Sequence, residues 1–560
     1  MGIVIIILKM FISIKFLLFF FWFFLLGRGL TILFKNKDFQ QSGDNLKVFS
    51  LPVYLLYPIF GMIFMGNITF LINYFYPISN RFIILLSFVL VLLNIKIKPN
   101  IKLNFTFSLL SIFTLLYLPL SSYNIGLSYD AGLYHLNYQK WIQSSKLVIG
   151  LSNLHIRYGY SSIFDYIASN LWMNNNFIFI HFLNLTCLST LFIFLLYNFL
   201  VGNDKFLKGS SVGILIFGLL DNFGFNGGKN GFIEIEGVTK YDSVFGSIFY
   251  LTVILSFLLI LKKNITVFDF QILFLLAIFN IQMRPTGILV LIPIFITLVV
   301  TKKIKIIIFD KVVLLGGLIL SLWLLKNLLI SGCIIFPVEF LCFDSLPWYQ
   351  NNYAFNETEN IRQSLRAFSL NMGITDWFEY WSQKNEYNFP SLINFLISYL
   401  IIYVYKLLFY KSKINLNFFI SLIFTITLIA YWFYLAPDNR FGIPFFMVAI
   451  GLIFSNVIEE REIKRLNYIN KYLTIFLFSF CVLLTPRIDS IILFLNGPFE
   501  DIKISQPNTT KYIARNFGYG FFTSDKSEQC WINIDCSPDY SLPTKKTEFI
   551  IYNGFIPMSK

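Results

Sequence analysis

Reactive side chains are concentrated in one polar stretch of this chain, between two hydrophobic runs. The stretch reads Tyr-Asp-Ala-Gly-Leu-Tyr-His-Leu over residues 129–136, then Lys-Trp at 140–141 and Asn-Leu-His-Ile-Arg-Tyr-Gly at 153–159. Polar groups that gather where a lipid environment ends usually serve function. A carboxylate there can take up a proton, and cations can bind an anionic substrate. We therefore predict that Asp130 is catalytic and that four neighbours bind substrate: His135, Lys140, His155 and Arg157.

The composition of the whole chain indicates an integral membrane protein. Of its 560 residues, 56% are hydrophobic and only 13% are charged, and the mean hydropathy is +0.68. Soluble domains are far more polar. Apolar runs of about 17 to 25 residues, long enough to cross a bilayer as helices, recur along nearly the whole length. We predict an all-α fold, a polytopic transmembrane helical bundle, because an open sheet would leave backbone groups unpaired in lipid.

The hydrophobic runs predict about 13 to 14 membrane crossings. They lie near residues 3–34, 51–75, 81–95, 104–122, 177–201, 210–221, 243–261, 266–283, 286–301, 312–330, 391–410, 416–435, 441–457 and 472–495. The first run contains Lys9 and Lys15 and is open to three interpretations: a crossing, a signal-anchor or a re-entrant helix. A single crossing there would place the amino terminus outside.

The distribution of cations predicts the orientation. The formal net charge is +14, and the cations sit in short loops, so we expect no nucleic-acid partner. Every second gap between runs is basic, beginning with the gap that we assign to Arg28, Lys35 and Lys37. The positive-inside rule makes these gaps cytoplasmic. The remaining loops and the tail then share the extracytoplasmic face of a membrane that we take to be the bacterial inner membrane.

The chain divides into six segments on this basis. They are amino-terminal helices over 1–122, an extracytoplasmic loop of catalytic type over 123–176, central helices over 177–330, a second external loop over 331–390, carboxy-terminal helices over 391–495 and an external tail over 496–560. Each polar segment is at or below the size that folds alone. Any activity must therefore be built from loops on a helical scaffold.

Asp130 has a structural alternative and a metal-binding one. It could cap a short helix that begins at Ala131, because Asp is favoured before a first helical turn. His135 and Gln139, four residues apart, would share one face of that helix. Asp130, His135 and His155 match no closed zinc pattern. A divalent cation such as Mg or Mn, held by Asp130 and a substrate phosphate, remains a hypothesis.

Two further polar sites lie on the predicted external face. Residues 436–442 read Ala-Pro-Asp-Asn-Arg-Phe-Gly, a tight turn that carries Asp438 and Arg440. A Pro-Asp-Asn turn needs no function. Arg440, however, is well shaped to bind a lipid-linked phosphate through two parallel hydrogen bonds. Asp242 stands at the mouth of another predicted crossing and is a third candidate for substrate binding.

The six cysteines fall into two groups. Cys187, Cys333, Cys342 and Cys481 lie in or near hydrophobic runs, and we expect them to be inert. Cys530 and Cys536 lie six residues apart in a tail that is predicted to be outside the cytoplasm, where oxidation is possible. We predict a disulfide between these two.

Together, the 129–159 motifs, the Ala-Pro-Asp-Asn-Arg-Phe-Gly turn and the tail residues Gln529-Cys530-Trp531 and Cys536 resemble a group of uncharacterised bacterial multi-pass membrane proteins. That group is similar in turn to GT-C glycosyltransferases. The resemblance implies transfer of a sugar from a polyprenyl-phosphate donor to a glycan, lipid or protein acceptor. It also implies that Asp130 deprotonates the acceptor or holds a metal, and that Arg440 or Arg157 neutralises the departing phosphate.

Two other functions use the same surroundings. A transporter or flippase of lipid-linked sugars would show internal repeats and ionisable groups near the bilayer midplane. No clear repeat is present, and the charges collect at one predicted surface. A polysaccharide polymerase or ligase would share the external loops and the lipid-phosphate substrate, and it differs in the length of its product.

Overall fold

The computed structural model is a mostly helical bundle with a few short strands. It describes residues 10–33, 47–49, 51–78, 80–96, 104–222, 235–262, 266–302, 309–366, 373–384, 397, 416–435, 437–457, 472, 475–497, 502–507, 512–514, 522–524, 529–537 and 544–557. Nearly all of the predicted crossing at 391–410 lies outside these residues. Lys35 and Lys37, which were predicted to lie in a cytoplasmic loop, are also outside the described residues.

Eighteen helices are described in these ranges. Those before residue 240 are α1 (Phe11–Leu33), α2 (Tyr57–Asn73), α3 (Asn80–Lys96), α4 (Phe105–Tyr117), α5 (Leu136–Ser144), α6 (Ile163–Ala168), α7 (Ile178–Leu200) and α8 (Lys205–Asn222). Those after it are α9 (Asp242–Lys262), α10 (Val267–Met283), α11 (Leu291–Thr301), α12 (Lys311–Ser331), α13 (Tyr353–Arg366), α14 (Ile374–Lys384), α15 (Leu416–Leu435), α16 (Asn439–Val457), α17 (Ile475–Leu484) and α18 (Ile488–Asn496).

Local sequence signals set the ends of the long helices. The Asn104 side chain accepts hydrogen bonds from the backbone N–H groups of the first turn of α4. Thr266 and Asp269 form a reciprocal capping box at the start of α10. Asp310 caps α12 in the same way, and Gly332 ends that helix in the left-handed conformation with φ of 78°. These polar residues satisfy terminal backbone groups that the helices themselves cannot pair.

Six helices in the described part of the chain are long and apolar enough to cross a membrane. They include α1, α7, α9 and α12, together with Val53–Asn73 and Phe105–Tyr123, in which short 3-10 turns extend α2 and α4. The predicted crossing at 472–495 is instead a pair of helices, α17 and α18, bent by 75°, and counting it as one span gives seven. Five shorter apolar helices of 10–17 residues lie at other predicted crossings.

Six short strands within the described residues depart from the purely helical prediction. They form three antiparallel pairs: β1 (Lys47–Val48) with β2 (Leu51–Pro52), β3 (Tyr512–Ala514) with β4 (Phe522–Ser524), and β5 (Thr544–Phe549) with β6 (Tyr552–Pro557). Four of the six lie in the tail. The sequence analysis treated the tail as a polar segment and did not predict these hairpins.

Disulfides close two polar segments. Cys530 is joined to Cys536, the pair predicted from the sequence, with an S–S distance of 2.02 Å. Cys333 is joined to Cys342, a second disulfide that was not predicted, because these two cysteines were expected only to be inert. The reason is the turn at Gly332, which ends α12 and places Cys333 outside the helix, where a backbone bridge pairs it with Cys342. Cys187 and Cys481 are buried and take part in neither disulfide.

Arg28 does not lie in a cytoplasmic loop, as was predicted. It lies inside α1 with only 2% of its surface exposed. Its guanidinium donates to Asn94 Oδ1 at 2.9 Å. Burial of a cation is costly unless a polar group pairs with it. Asn94 on α3 is that partner.

The polar segments converge at one end of the bundle. Trp531 N donates to Gly132 O at 2.8 Å, which joins the tail to the 123–176 loop. Asn153 Nδ2 donates to Trp348 O at 2.9 Å and so joins the same loop to the 331–390 segment. This end is called the loop end below. It collects the segments in which the sequence placed its reactive residues.

Close backbone contact between α1 and α2 depends on glycine. A Cβ atom added at Gly27 would lie 1.8 Å from the carbonyl oxygen of Tyr57, and one added at Gly61 would lie 2.3 Å from that of Phe23. Small residues allow membrane helices to approach closely enough for dispersion contacts to hold them. The two helices therefore fit together only with glycine at both positions.

We predict that Gly27→Ala lowers the thermal midpoint of the purified protein in detergent, because the new methyl group forces α1 away from α2. In a helix interior with room for a methyl group, the replacement of glycine by alanine instead stabilises the helix by about 1 kcal/mol. Gly317→Ala on α12, where an added Cβ meets nothing within 4 Å, is the matched control and should leave the midpoint unchanged or raise it. Equal behaviour of the two variants would contradict the packing described here.

Candidate functional site

Asp130 does not cap the helix that follows it. The chain enters a π-helical turn at Ala131–His135 and continues as α5, and the Asp130 side chain makes no capping hydrogen bond. Instead, Asp130 Oδ2 lies 3.5 Å from a guanidinium nitrogen of Arg440. Short π-helical turns occur frequently at functional sites. The structure thus joins two residues that the sequence separates by more than 300 positions.

The turn before α16 holds Arg440 in place. Asp438 Oδ1 accepts the backbone N–H of Arg440 at 3.0 Å. The indole N–H of Trp432 donates to Asp438 O at 2.7 Å, and that of Trp381 on α14 donates to Pro437 O at 2.8 Å. Burial raises the pKa of Asp438 above its ordinary value. Asp438 therefore shapes the turn through hydrogen bonds, while Arg440 projects toward the site.

Asp242 anchors the centre of the site. It begins α9, is only 2% exposed and forms a salt bridge with Arg284. Its other oxygen lies 3.9 Å from Nε of Arg440. Asp130, Arg440, Asp242 and Arg284 therefore form a continuous chain of opposite charges, which we call the charge network. A buried carboxylate requires such compensation, because losing water costs an ion several kcal/mol.

Exposure differs along the charge network. The side chains of Asp242 and Arg284 are 3% and 18% exposed, whereas those of Asp130 and Arg440 are 13% and 36% exposed. Asp242 is therefore the most enclosed of the four, and Arg440 is the most accessible to a ligand. A guanidinium in such a position can bind a carboxylate or phosphate through two parallel hydrogen bonds.

Tyr134 forms an aromatic wall beside Asp130. The Arg157 guanidinium lies 5.8 Å from the centre of its ring, a cation–π distance. Burial and the neighbouring Asp130 raise the pKa of the Tyr134 hydroxyl well above its ordinary value, so it remains protonated. Arg157 also interacts with the buried carboxylate of Glu357 on α13. Arg157 is thereby held at the edge of the site.

His155 is buried next to this wall. Its ring centre is 6.3 Å from that of Tyr134, and neither ring nitrogen has a hydrogen-bond partner among the described residues. Burial and the nearby Arg157 lower the pKa of His155 to about 3, so the imidazole is neutral at physiological pH. A neutral imidazole offers one donor and one acceptor to a ligand.

His135 belongs to a separate group of hydrogen bonds, which is centred on the carboxylate of Asp165. His135 Nδ1 lies 3.1 Å from Asp165 Oδ1, and the same oxygen accepts Gln139 Nε2 at 3.0 Å. Gln139 Oε1 in turn accepts the indole N–H of Trp172 at 2.8 Å. The prediction that His135 and Gln139 share a helix face is confirmed. A carboxylate that orients an imidazole is the arrangement by which proteins prepare a general base.

Two lysines lie apart from the charge network. Lys140 Nζ lies 6.0 Å from the ring centre of Trp172, and no described contact links it to Asp130 or Arg440. Lys326 does not extend to the membrane surface as a lysine near a helix end often does. It is fully buried on α12, donates to Ser161 Oγ and lies 3.2 Å from the ring centre of Trp323.

Arg284 and Asp165 were not predicted as site residues. Arg284 is an isolated charge in the short break between two apolar helices, α10 and the 3-10 helix Pro285–Val290. That isolated charge is the sequence signal by which Arg284 could have been identified. Asp165 sits within the apolar helix α6, Ile163–Ala168, and only its burial in three dimensions shows that it must be paired.

The carboxylates of the charge network face cationic side chains. No group of three or more His, Cys, Asp or Glu side chains that could hold a metal occurs in the described ranges. Asp130 faces a guanidinium, and Asp242 faces two. Positive partners already neutralise both carboxylates, so we derive no step through a divalent cation.

Comparison with protein families gives one match. The model of a domain of unknown function, DUF8201, matches residues 10–447, more than three quarters of the chain. The chain belongs to the DUF8201 family. No curated protein and no solved structure matches it. The DUF8201 region contains the whole charge network and ends before the disulfide-bonded tail.

The tail of this DUF8201 protein covers the reactive loop. Gln529 Nε2 donates to Tyr129 O at 3.0 Å, and Asn137 Nδ2 donates to Asn533 O at 2.6 Å. Between them the Trp531 ring lies so close to Gly132 that an added Cβ would meet it at 2.8 Å. The loop closed by Cys530–Cys536 therefore contacts the chain on both sides of Asp130.

We predict that Arg284→Gln destabilises the protein by about 3–5 kcal/mol, because it leaves the buried Asp242 carboxylate undercompensated. Asp242→Asn in the same chain should restore much of the loss. Lys262→Gln, which breaks a partly exposed pair with Asp204 at 2.8 Å, is the control and should cost about 1 kcal/mol or less. Thermal midpoints in detergent measure all three. If Arg284→Gln alone lowered the midpoint no more than Lys262→Gln does, the role given to the Asp242–Arg284 pair would be refuted.

We also predict that Cys530→Ser with Cys536→Ser increases hydrogen exchange of backbone amides over residues 129–137. The loop between these cysteines is short, so the global midpoint should fall only modestly. Exchange followed by mass spectrometry gives the measurement. Cys333→Ser with Cys342→Ser removes the other disulfide and should leave 129–137 unchanged, and an effect of equal size from both pairs would argue against local cover by the tail.

Proposed function

We propose that this protein is a membrane glycosyltransferase that moves a sugar from a polyprenyl-phosphate donor to a cell-envelope acceptor. The observation that carries the proposal is the open pair of Asp130 and Arg440 at the loop end of a membrane bundle. One group can take a proton, the other can bind phosphate, and they lie 3.5 Å apart. The resemblance to a group of multi-pass proteins, which are similar to GT-C enzymes in layout and in one loop carboxylate, supports the same reaction class.

In the proposed reaction the acceptor hydroxyl oxygen attacks the anomeric carbon of the donor sugar. The new carbon–oxygen bond forms as the bond from that carbon to the phosphate oxygen breaks, with inversion. Asp130 takes the hydroxyl proton, and the polyprenyl phosphate leaves with the bonding electrons. A positioned base and a positive group at the leaving oxygen each lower the barrier to such a transfer.

Arg440 is the residue best placed to bind the phosphate. More than a third of its side chain is exposed, and its backbone is fixed by Asp438. When its guanidinium turns to a phosphate oxygen, it leaves Asp130 free to accept the proton of the acceptor hydroxyl. Arg157 and the neutral His155 line the neighbouring wall, where they can contact the phosphate or a sugar hydroxyl.

We also propose that the loop end is extracytoplasmic, in the inner membrane of a bacterium. Both disulfides lie at this end, and disulfides persist in oxidising compartments. The alternation of basic loops supports the same orientation. A lipid-linked donor arrives there already activated, so no nucleotide is required.

We predict that Asp130→Asn lowers transfer by about 100-fold or more in membranes supplied with a defined polyprenyl-phosphate sugar, because the amide cannot accept the proton. Asp535→Asn, which changes an exposed carboxylate in the tail, is the control and should retain full activity. Product is measured by mass spectrometry of the acceptor fraction. Full activity of the Asp130 variant would exclude this role.

The same preparation separates the alternatives. Movement of labelled donor across proteoliposomes without a covalent product would identify a transporter or flippase. A ladder of products would identify a polymerase, whereas a single added sugar fits a transferase. Comparison of cell-envelope glycans with and without the gene would identify the sugar.

A further inference from the structure

The hairpin of β5 and β6 ends in an apolar tip. Its two-residue turn consists of Ile550, which is 100% exposed, and Ile551, which is 59% exposed. The β5 strand behind the tip is polar and carries exposed Lys545 and Lys546. Two adjacent exposed isoleucines at the end of a polar hairpin require an apolar environment that the described residues do not provide.

The tip lies beside the loop-end segments of two membrane helices. The Phe549 ring is 5.4 Å from that of Trp348, and the Trp348 indole N–H donates to Leu328 O of α12 at 2.9 Å. Tyr552 lies close enough to Tyr74, which directly follows α2, for the two hydroxyl groups to interact electrostatically. The hairpin therefore runs along the outside of the bundle.

Tyr74, the neighbour of Tyr552, reaches below the end of α12. The Tyr74 hydroxyl donates to Leu322 O at 2.6 Å, and Leu322 precedes the last residue of α12 by nine positions, about 13 Å of helix. This helix has only 22% of its apolar window buried, and its Leu318 and Leu325 are 57% and 44% exposed. Such a surface faces lipid.

We propose that the hairpin tip enters the lipid bilayer and fixes the tail to the membrane. Tyr552, which directly follows the tip, interacts with Tyr74. The two residues after Tyr74 are exposed aromatics of the kind found at the membrane interface, with Phe75 and Tyr76 exposed by 64% and 69%. Lys146 Nζ lies 5.4 Å from the Tyr552 ring centre, and the lysines of β5 suit a layer of anionic headgroups.

The base of the hairpin is bound to the reactive loop. Phe555 N donates to Ile149 O at 2.9 Å, and Ile149 N donates to Asn553 O at 3.0 Å. Asn153 Nδ2 donates to Phe555 O at 3.0 Å, two residues before His155. A tip held in lipid therefore sets the depth of the loop that carries His155 and Arg157. The inference stands whether or not the proposed sugar transfer is correct.

The test uses the full chain in nanodiscs with both disulfides intact. Ile550→Cys is labelled with an environment-sensitive fluorophore, and Cys187 and Cys481 are buried and do not compete for the label. Lys545→Cys on the polar strand is the matched control. We expect the label at 550 to emit at shorter wavelength and to be quenched by lipids with brominated chains, whereas iodide in solution should quench the label at 545.

Two results would overturn the inference. Quenching at 550 by iodide alone would show that the tip is in water. Protection at 550 from both quenchers would show that protein covers it, for instance a second copy of the chain. Ile550→Asp with Ile551→Asp offers a second measurement in the same nanodiscs, where release of the tip should increase hydrogen exchange over residues 149–155 while the exchange of α9 stays unchanged.

Discussion

Charged groups at the edge of a bilayer must be paired, and this constraint organises the loop end of the bundle. Asp242 is nearly fully buried at the start of a membrane helix, where an uncompensated carboxylate would cost several kcal/mol. Its partners come from the break after α10 and from the first turn of α16. Both segments must therefore meet the start of α9. Once they do, Arg440 is within reach of Asp130, so the candidate site follows from the same pairing that stabilises the helix ends.

The sequence was sufficient to predict the helical membrane bundle, the polar loops that supply the site and the two ends of the Asp130–Arg440 pair. The hydrophobic runs indicate the helices, and the four-residue spacing of His135 and Gln139 indicates a shared helix face. Both signals come from residues that are close in sequence. What joins Asp130 to Arg440 is not local, because their separation in sequence says nothing about distance. Asp165 could not be found, because an acidic residue within an apolar helix shows its purpose only when His135 and Gln139 both reach it.

The short strands and the Cys333–Cys342 disulfide show a different limit. Hydropathy distinguishes lipid-facing helix from polar segment, but it gives no account of structure within the polar segments. The end of α12 illustrates this, because the decisive residue is Gly332, whose left-handed backbone turns the chain out of the helix and brings Cys333 opposite Cys342. Likewise, the tail folds where Trp531 meets Gly132, a contact that requires the absence of a side chain at a position 399 residues away.

The two carboxylates that flank Arg440 differ in exposure, and this difference suggests an order for the proposed reaction. Opposite charges about 4 Å apart near a protein surface attract by about 4 kcal/mol, and the attraction weakens as water enters. Asp242 is 3% exposed and Asp130 is 13% exposed, so water reaches the Asp130 partner of Arg440 more easily. In the proposed reaction an incoming phosphate would therefore displace Asp130 before Asp242. Arg440 would keep its buried partner while it turns toward the phosphate, and Asp130 would lose its counter-charge when the acceptor proton must be removed.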